Sequence, residues 1–204
     1  MESWNQYIFL LLNASSHPGA ITVEAAQFAA NWLVVAAALV IAYLWIWGLT
    51  LKRSALIAVS VSTVLALGIN QLLGLLWFEP RPFIIGLGHT LMNHAPDNSF
   101  PSDHATFIWS LGFGLIATRA SPRWGWLVAL AGIVVAWARI YLGVHFPADM
   151  AGSFVVAMAS AAVARALVPV AQRRLLPIIE DCYEATLVKL RLTAIMPAKR
   201  EVGE

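Results

Sequence analysis

The sequence has 204 residues, of which 60% are hydrophobic and 12% charged, with a mean hydropathy of +0.74. Soluble domains are nearer roughly 45–50% apolar and about 25% charged, so the composition excludes an ordinary soluble fold and specifies an all-α, polytopic membrane helix bundle. A formal net charge of +2 gives no reason to expect a nucleic-acid partner, and a single cysteine, Cys182, excludes an internal disulfide.

In chain order, Met1 to Gln6 carry no basic residue ahead of the first apolar run, which argues against a cleaved secretory signal. Tyr7 to Leu12 is too short for a span of roughly 20 residues. Trp4 to Ala14 is therefore read as a helix lying in the interface, ended by His17-Pro18-Gly19. A first span is expected over Ala26 to Leu49, with Tyr43, Trp45 and Trp47 as interfacial anchors. A second runs over Leu56 to Phe78, where Asn70 and Gln71 should face the bundle interior. Glu79 to Pro101 is the longest polar connection and holds His89, His94, Asp97 and Asn98. Ser102 caps a third span reaching Thr118, where Gly112 and Gly114 permit close helix contact. A fourth runs over Trp124 to Gly143 and a fifth over Pro147 to Val168. The apolar spacing Ile178, Ile179, Cys182, Tyr183, Thr186, Leu187, Leu190 predicts an amphipathic helix on the inner leaflet. The chain reads as one integral-membrane domain, residues 1–204, with a core over 22–168 and a cytoplasmic tail over 169–204.

Lysine and arginine collect on the cytoplasmic side of short loops. With five spans and an outer N-terminus, Lys52, Arg53, Arg119, Arg123, Arg165, Arg173, Arg174, Lys189, Arg191, Lys199 and Arg200 fall inside, eleven of the thirteen basic residues. The other two, Arg81 and Arg139, fall at the outer face beside histidines.

The stretch from Arg139 to Asp149 places an arginine, a histidine and an aspartate between two apolar segments. Ionisable groups at membrane depth are costly and mark function by default. Pro147 suits the first turn of a helix, which sets His145 at the helix mouth and Asp149 within reach of its imidazole. The same outer level holds Arg81 and the start of the third span, Ser102-Asp103-His104. Two helix N-termini, two arginines and a serine make a receptor for a phosphoryl group, and two histidines divide nucleophilic attack and proton transfer between them.

Arg81-Pro82, Pro101-Ser102-Asp103-His104 and Arg139-x5-His145-x3-Asp149 resemble the three-part signature of the type-2 phosphatidic acid phosphatase superfamily over roughly residues 50–168. The resemblance implies His145 as nucleophile, Asp149 as its orienting partner, His104 as general acid, and Arg81, Ser102 and Arg139 as phosphate-binding groups, with no metal or other cofactor. Three positions depart from the pattern: Gly74 stands where the family lysine is usual, Asp103 where glycine is, and Ala138 where serine is. Pro-Ser-Asp-His with Glu79-Pro80-Arg81-Pro82-Phe83 is similar to the bacterial undecaprenyl-diphosphatase branch of the bacitracin-resistance type. That branch implies a polyprenyl diphosphate lipid as substrate and an active site on the outer face of the cytoplasmic membrane. Phosphatidylglycerophosphate or phosphatidate, and phosphoryl transfer to another lipid, are the rival reactions.

Some roles stay open on residues alone. His104, His145 and Asp149 are plausible metal ligands, although two nearby arginines would repel a divalent cation. Asp103 is expected to pair with Arg81 or Arg139. Glu79 is read as a loop acid or a substrate rim residue. His89 and His94 are read as solvated loop histidines, with His94 within reach of a leaving lipid phosphate. A small-anion carrier built on Arg81 and Arg139 is the rival from outside enzymology.

Overall fold

The computed structural model describes residues 3–192. All of its regular structure is helical: α1 Ser3–Leu12, α2 Ala20–Trp47, α3 Arg53–Leu76, α4 Asp103–Ala117, α5 Pro122–Tyr141, α6 Pro147–Val170 and α7 Leu176–Lys189. A 3₁₀ turn at Thr50–Lys52 leads into α3, and a π-helical turn at Ala171–Leu175 joins α6 to α7. Lys199 and Arg200, expected on the inner side, lie outside the described residues.

Among the described residues, four segments are long and apolar enough to cross a membrane: Ala20–Trp47, Thr50–Leu76, Pro122–Tyr141 and Pro147–Lys189. The expected first span starts earlier than Ala26, because Gly19 interrupts the chain and the apolar run behind it has no breaker before Gly48. The expected third span is the 15-residue α4, about 22 Å long at ~1.5 Å per residue and short for a hydrocarbon core of about 30 Å. Ser102 holds the N-cap position of α4, but its hydroxyl makes no capping bond.

Helix α4 is the centre of the bundle, packed on α3, α5 and α6, with α2 beyond α5. Glycine makes the α4–α5 contact possible: a Cβ at Gly112 would stand 2.8 Å from the Ala129 backbone nitrogen. Lipid-sized side chains such as Leu75, Leu76 and Ile21 cover the outside and are exposed, the arrangement expected where hydrocarbon replaces water around the helices.

Helix α1 packs on the bundle through one face, burying Asn5 and Phe9 while Tyr7 and Leu11 stay exposed. Phe9 is fully buried in the same apolar cluster as Trp109, Ile140, Phe146 and Met150, and its ring lies 5.2 Å from that of Phe146. Just after α1, the Asn13 amide donates to the carbonyls of His89 and Tyr141, and its oxygen accepts from the His89 backbone N–H at 2.7 Å. At the opposite end α7 folds back on α3. There the buried Arg53 pairs with Glu180 at 3.1 Å and lies over the rings of Trp45 and Tyr183.

Candidate active site

The α5–α6 junction aims the central residues. Gly143 adopts φ +80°, a left-handed conformation that costs glycine little. The Val144 N–H donates to the Arg139 carbonyl and the Gly143 N–H to the Ile140 carbonyl, the two bonds of a Schellman motif. The chain therefore reverses within five residues of Arg139, and His145 comes back beside it: Arg139 Nη2 lies 3.5 Å from His145 Nε2. Helix α6 then starts with Pro147 in its first turn. Asp149, at the third helical position, accepts from the Phe146 backbone N–H at 2.7 Å, which is half of a capping box. A second orphan donor of this helix start, the Ala148 N–H, is accepted by the Asn5 side chain of α1 at 3.0 Å.

His145 is buried and both of its ring nitrogens have partners. Nδ1 lies 3.1 Å from Asp149 Oδ2 and Nε2 lies 3.0 Å from Arg81 Nη1. A guanidinium only donates, so Nε2 must carry the lone pair and Nδ1 the proton, which goes to Asp149. The fully buried Ser99 hydroxyl donates to the same carboxylate oxygen. Burial, then the charges of Arg139 and Arg81, hold the His145 imidazole well below the ordinary histidine range, so it is neutral at neutral pH.

Arg81 is fixed by acceptors on every side. Nε donates to Asp97 at 2.8 Å, Nη1 to the Val144 carbonyl at 2.8 Å, and Nη2 to the Asn98 carbonyl at 2.9 Å. Arg139 is buried, and among the described residues its Nε has no hydrogen-bond partner; the buried Ser102 hydroxyl has none either. Unmet buried donors of this kind cost free energy unless a ligand answers them.

Arg81, Arg139, His145, His104, His94, Asp97 and Asp103 line one polar cavity of about 450 Å³, together with Asn70, Gln71 and Gly74. Of the residues singled out in the sequence, Asp103 and Gln71 stand elsewhere than expected. Asp103 does not pair with an arginine: Asn70 Nδ2 and Gln71 Nε2 of α3 donate to its two oxygens, each at 2.9 Å, because the first turn of α4 packs on α3 and turns the carboxylate that way. Glu79 faces a second, more apolar cavity beside Trp4, Trp77 and Phe100, where it accepts from the Trp77 indole at 3.2 Å. Asn70 is buried as expected, whereas Gln71 is exposed. The two loop histidines also separate: His89 is exposed, while His94 is half-buried in the polar cavity with its ring edge-on to His145 at 6.2 Å.

Gly74 leaves no room for a longer residue without rearrangement: a Cβ there would stand 2.9 Å from Asn98 Nδ2. Asn98 fills the space, and its oxygen accepts from the Glu79 backbone N–H at 2.6 Å. The sequence gives Asn98 no role and leaves Ser99 and Asn5 unmarked. Their one local signal is polarity in an apolar context: Asp97-Asn98-Ser99 just before the second motif, and an asparagine inside an apolar N-terminal helix.

The sequence pattern of the PAP2 superfamily matches residues 55–173. The chain is 34% identical over 158 residues to YbjG of Escherichia coli (strain K12), covering 78% of this chain and 79% of that one. It is 34% identical over 154 residues to undecaprenyl-diphosphatase BcrC of Bacillus subtilis (strain 168), covering 76% and 79%. The crystal structure of Aquifex aeolicus LpxE aligns with a TM-score of 0.57 at 21% identity, over 80% of this chain and 95% of that one, a likeness of fold. With the family pattern matched over more than half its length, this chain belongs to the PAP2 superfamily.

Proposed function

We propose that the protein is a membrane lipid-diphosphate phosphatase that hydrolyses undecaprenyl diphosphate to undecaprenyl phosphate and phosphate through a phosphohistidine. The observation that carries this reading is the His145 imidazole, with Nδ1 held by Asp149 and Nε2 presented to Arg81 at the polar cavity. The substrate follows from the 34% identity to BcrC of Bacillus subtilis, which is named an undecaprenyl-diphosphatase.

Arg81, Arg139 and the Ser102 hydroxyl bind the terminal phosphoryl oxygens. His145 Nε2 forms a bond to phosphorus as the bond to the bridging oxygen breaks, and that electron pair leaves with the lipid phosphate. His104 gives its proton to the leaving oxygen, and Asp149 stabilises the positive charge left on the His145 ring. Water then attacks phosphorus, His104 takes its proton, and free His145 and phosphate result. Glu79, in the apolar cavity, acts on the lipid chain or its entry, and Asp103 shapes the far wall of the phosphate cavity.

The domain spans residues 1–204 and crosses the bacterial cytoplasmic membrane five times. Helix α1 lies at the outer interface and α7 on the inner leaflet, with the C-terminus cytoplasmic. Lys52 and Arg165 support this orientation, because they donate to the carbonyls of Arg119 and Ala117 and so gather the basic residues at the bundle end away from the site.

The test is phosphate release from undecaprenyl diphosphate by purified protein in detergent and EDTA, wild type beside His145→Ala. Release by the wild type that vanishes in the variant is expected. Absence of release from this and every other lipid phosphate would overturn the enzyme reading in favour of the anion carrier, which has no compartments to work between in detergent. Faster release from phosphatidylglycerophosphate or phosphatidate would correct the substrate alone.

A further inference from the structure

The cavity of about 450 Å³ is larger than one phosphoryl group requires. At ~30 Å³ per water in the liquid it holds the equivalent of about fifteen waters, and a phosphoryl group has four heavy atoms. The groups already assigned, Arg81, Arg139, His104 and His145, account for the terminal phosphate and the bridging oxygen. His94 lines the same cavity from the 77–102 connection and is not used by that chemistry.

His94 is oriented. Its Nδ1 lies 3.1 Å from the Ala95 carbonyl, which only accepts, so Nδ1 carries a proton. Asp97 Oδ1 stands 3.6 Å from the same nitrogen and also accepts from Arg81 Nε at 2.8 Å. One loop carboxylate thus ties the position of His94 to that of the phosphate-binding arginine. Nε2 makes no hydrogen bond among the described residues, and the ring stands edge-on to His145, 6.2 Å between centroids. His94 thus brings an imidazole nitrogen with no hydrogen bond among the described residues to the cavity that His145 also lines.

Resting on the phosphatase reading above, we propose that His94 determines specificity for a diphosphate over a monophosphate, by donating from Nε2 to the lipid-proximal phosphate. Burial, with Arg81 and Arg139 adding to it, holds His94 below the ordinary histidine range; a second phosphate brings the opposite charge, favours the imidazolium and turns Nε2 into a donor. Asp97 is a positioning residue in this arrangement, since it acts through His94 and Arg81.

The experiment compares wild type, His94→Gln and His94→Ala on a C15 prenyl diphosphate and its matching monophosphate in detergent. The monophosphate is measured as a substrate or, where it is not turned over, as a competitive inhibitor. Loss of a charge-assisted hydrogen bond lowers the diphosphate-to-monophosphate ratio of kcat/KM, or of affinities, by roughly 10- to 100-fold in His94→Ala. His94→Gln keeps a neutral donor near the Nε2 position and falls between. An unchanged ratio, whether both substrates weaken together or neither does, overturns the assignment of His94 and leaves the phosphatase reading standing. A wild type inert toward every prenyl phosphate overturns both.

Discussion

Asp149→Asn isolates a charge from the geometry that holds it. Asp149 Oδ2 accepts from the Phe146 N–H at 2.7 Å and from the Ser99 hydroxyl, and faces His145 Nδ1 at 3.1 Å. An amide oxygen in that place can accept from the same three donors, and the opposite rotamer would set an NH₂ against the Phe146 N–H. The variant should therefore fold with the oxygen where it is now, and its melting temperature should move little. What it loses is the negative charge that, in the proposed mechanism, meets the cation formed as His145 attacks phosphorus. Spread over the ring, that charge lies about 4 Å from the carboxylate, and at an effective dielectric constant of ~20 the interaction is about 4 kcal/mol. At ~1.36 kcal/mol per tenfold, kcat should fall roughly 10³-fold, with KM within about threefold since the lipid and phosphate contacts remain. Single-turnover phosphate release at saturating lipid reads the chemical step directly. A variant within tenfold of wild type in that assay would refute the role of the Asp149 charge; a large loss accompanied by a collapsed melting temperature would refute the separation of charge from geometry.

Two further outcomes follow from the surroundings of the site. Asn5→Ala removes the acceptor of the Ala148 N–H at the start of α6, which should cost about 1 kcal/mol of stability as other lost N-terminal caps do, with a fall in kcat from the loosened His145 turn; Asn5→Asp keeps the oxygen and should restore both in thermal melts and turnover. The histidines' share of the pH dependence of stability has a definite sign. Burial first and the arginines second hold His145 and His94 below their ordinary value of 6.5. Below that value the unfolded chain binds more protons at these two sites than the folded one, so their contribution to stability falls as pH drops from about 6.5. Melts in detergent between about pH 7 and pH 5 should show that fall, and a smaller fall in His94→Gln; equal curves would remove His94 from the account.

The apolar runs, the motif order and the one-sided placement of lysine and arginine are properties of the chain itself, because helical period and hydrophobic content are local. They were enough to draw an all-helical membrane bundle and to gather Arg81, His104, Arg139, His145 and Asp149 at one level of it. The proline after the α5–α6 reversal likewise acts over a few residues, which is why the relation of His145 to Asp149 could be read before any packing was known. The direction of a side chain outside a helix has no such local rule. Residues 77–102 have no repeating hydrogen-bond pattern, so only the packed bundle decides that His94 enters the cavity while His89 does not, that Ser99 reaches Asp149, and that Glu79 faces the apolar side. The same holds for Asp103, whose partners Asn70 and Gln71 belong to a helix more than thirty residues earlier: a carboxylate takes the donors that packing brings to it, and the amides of α3 stand nearer than either arginine because α3 and α4 are direct neighbours. Helix α1 shows the limit most plainly. Its sequence is that of a short apolar helix, and only contact with α5 and α6 turns Asn5 and Phe9 into supports of the His145 turn.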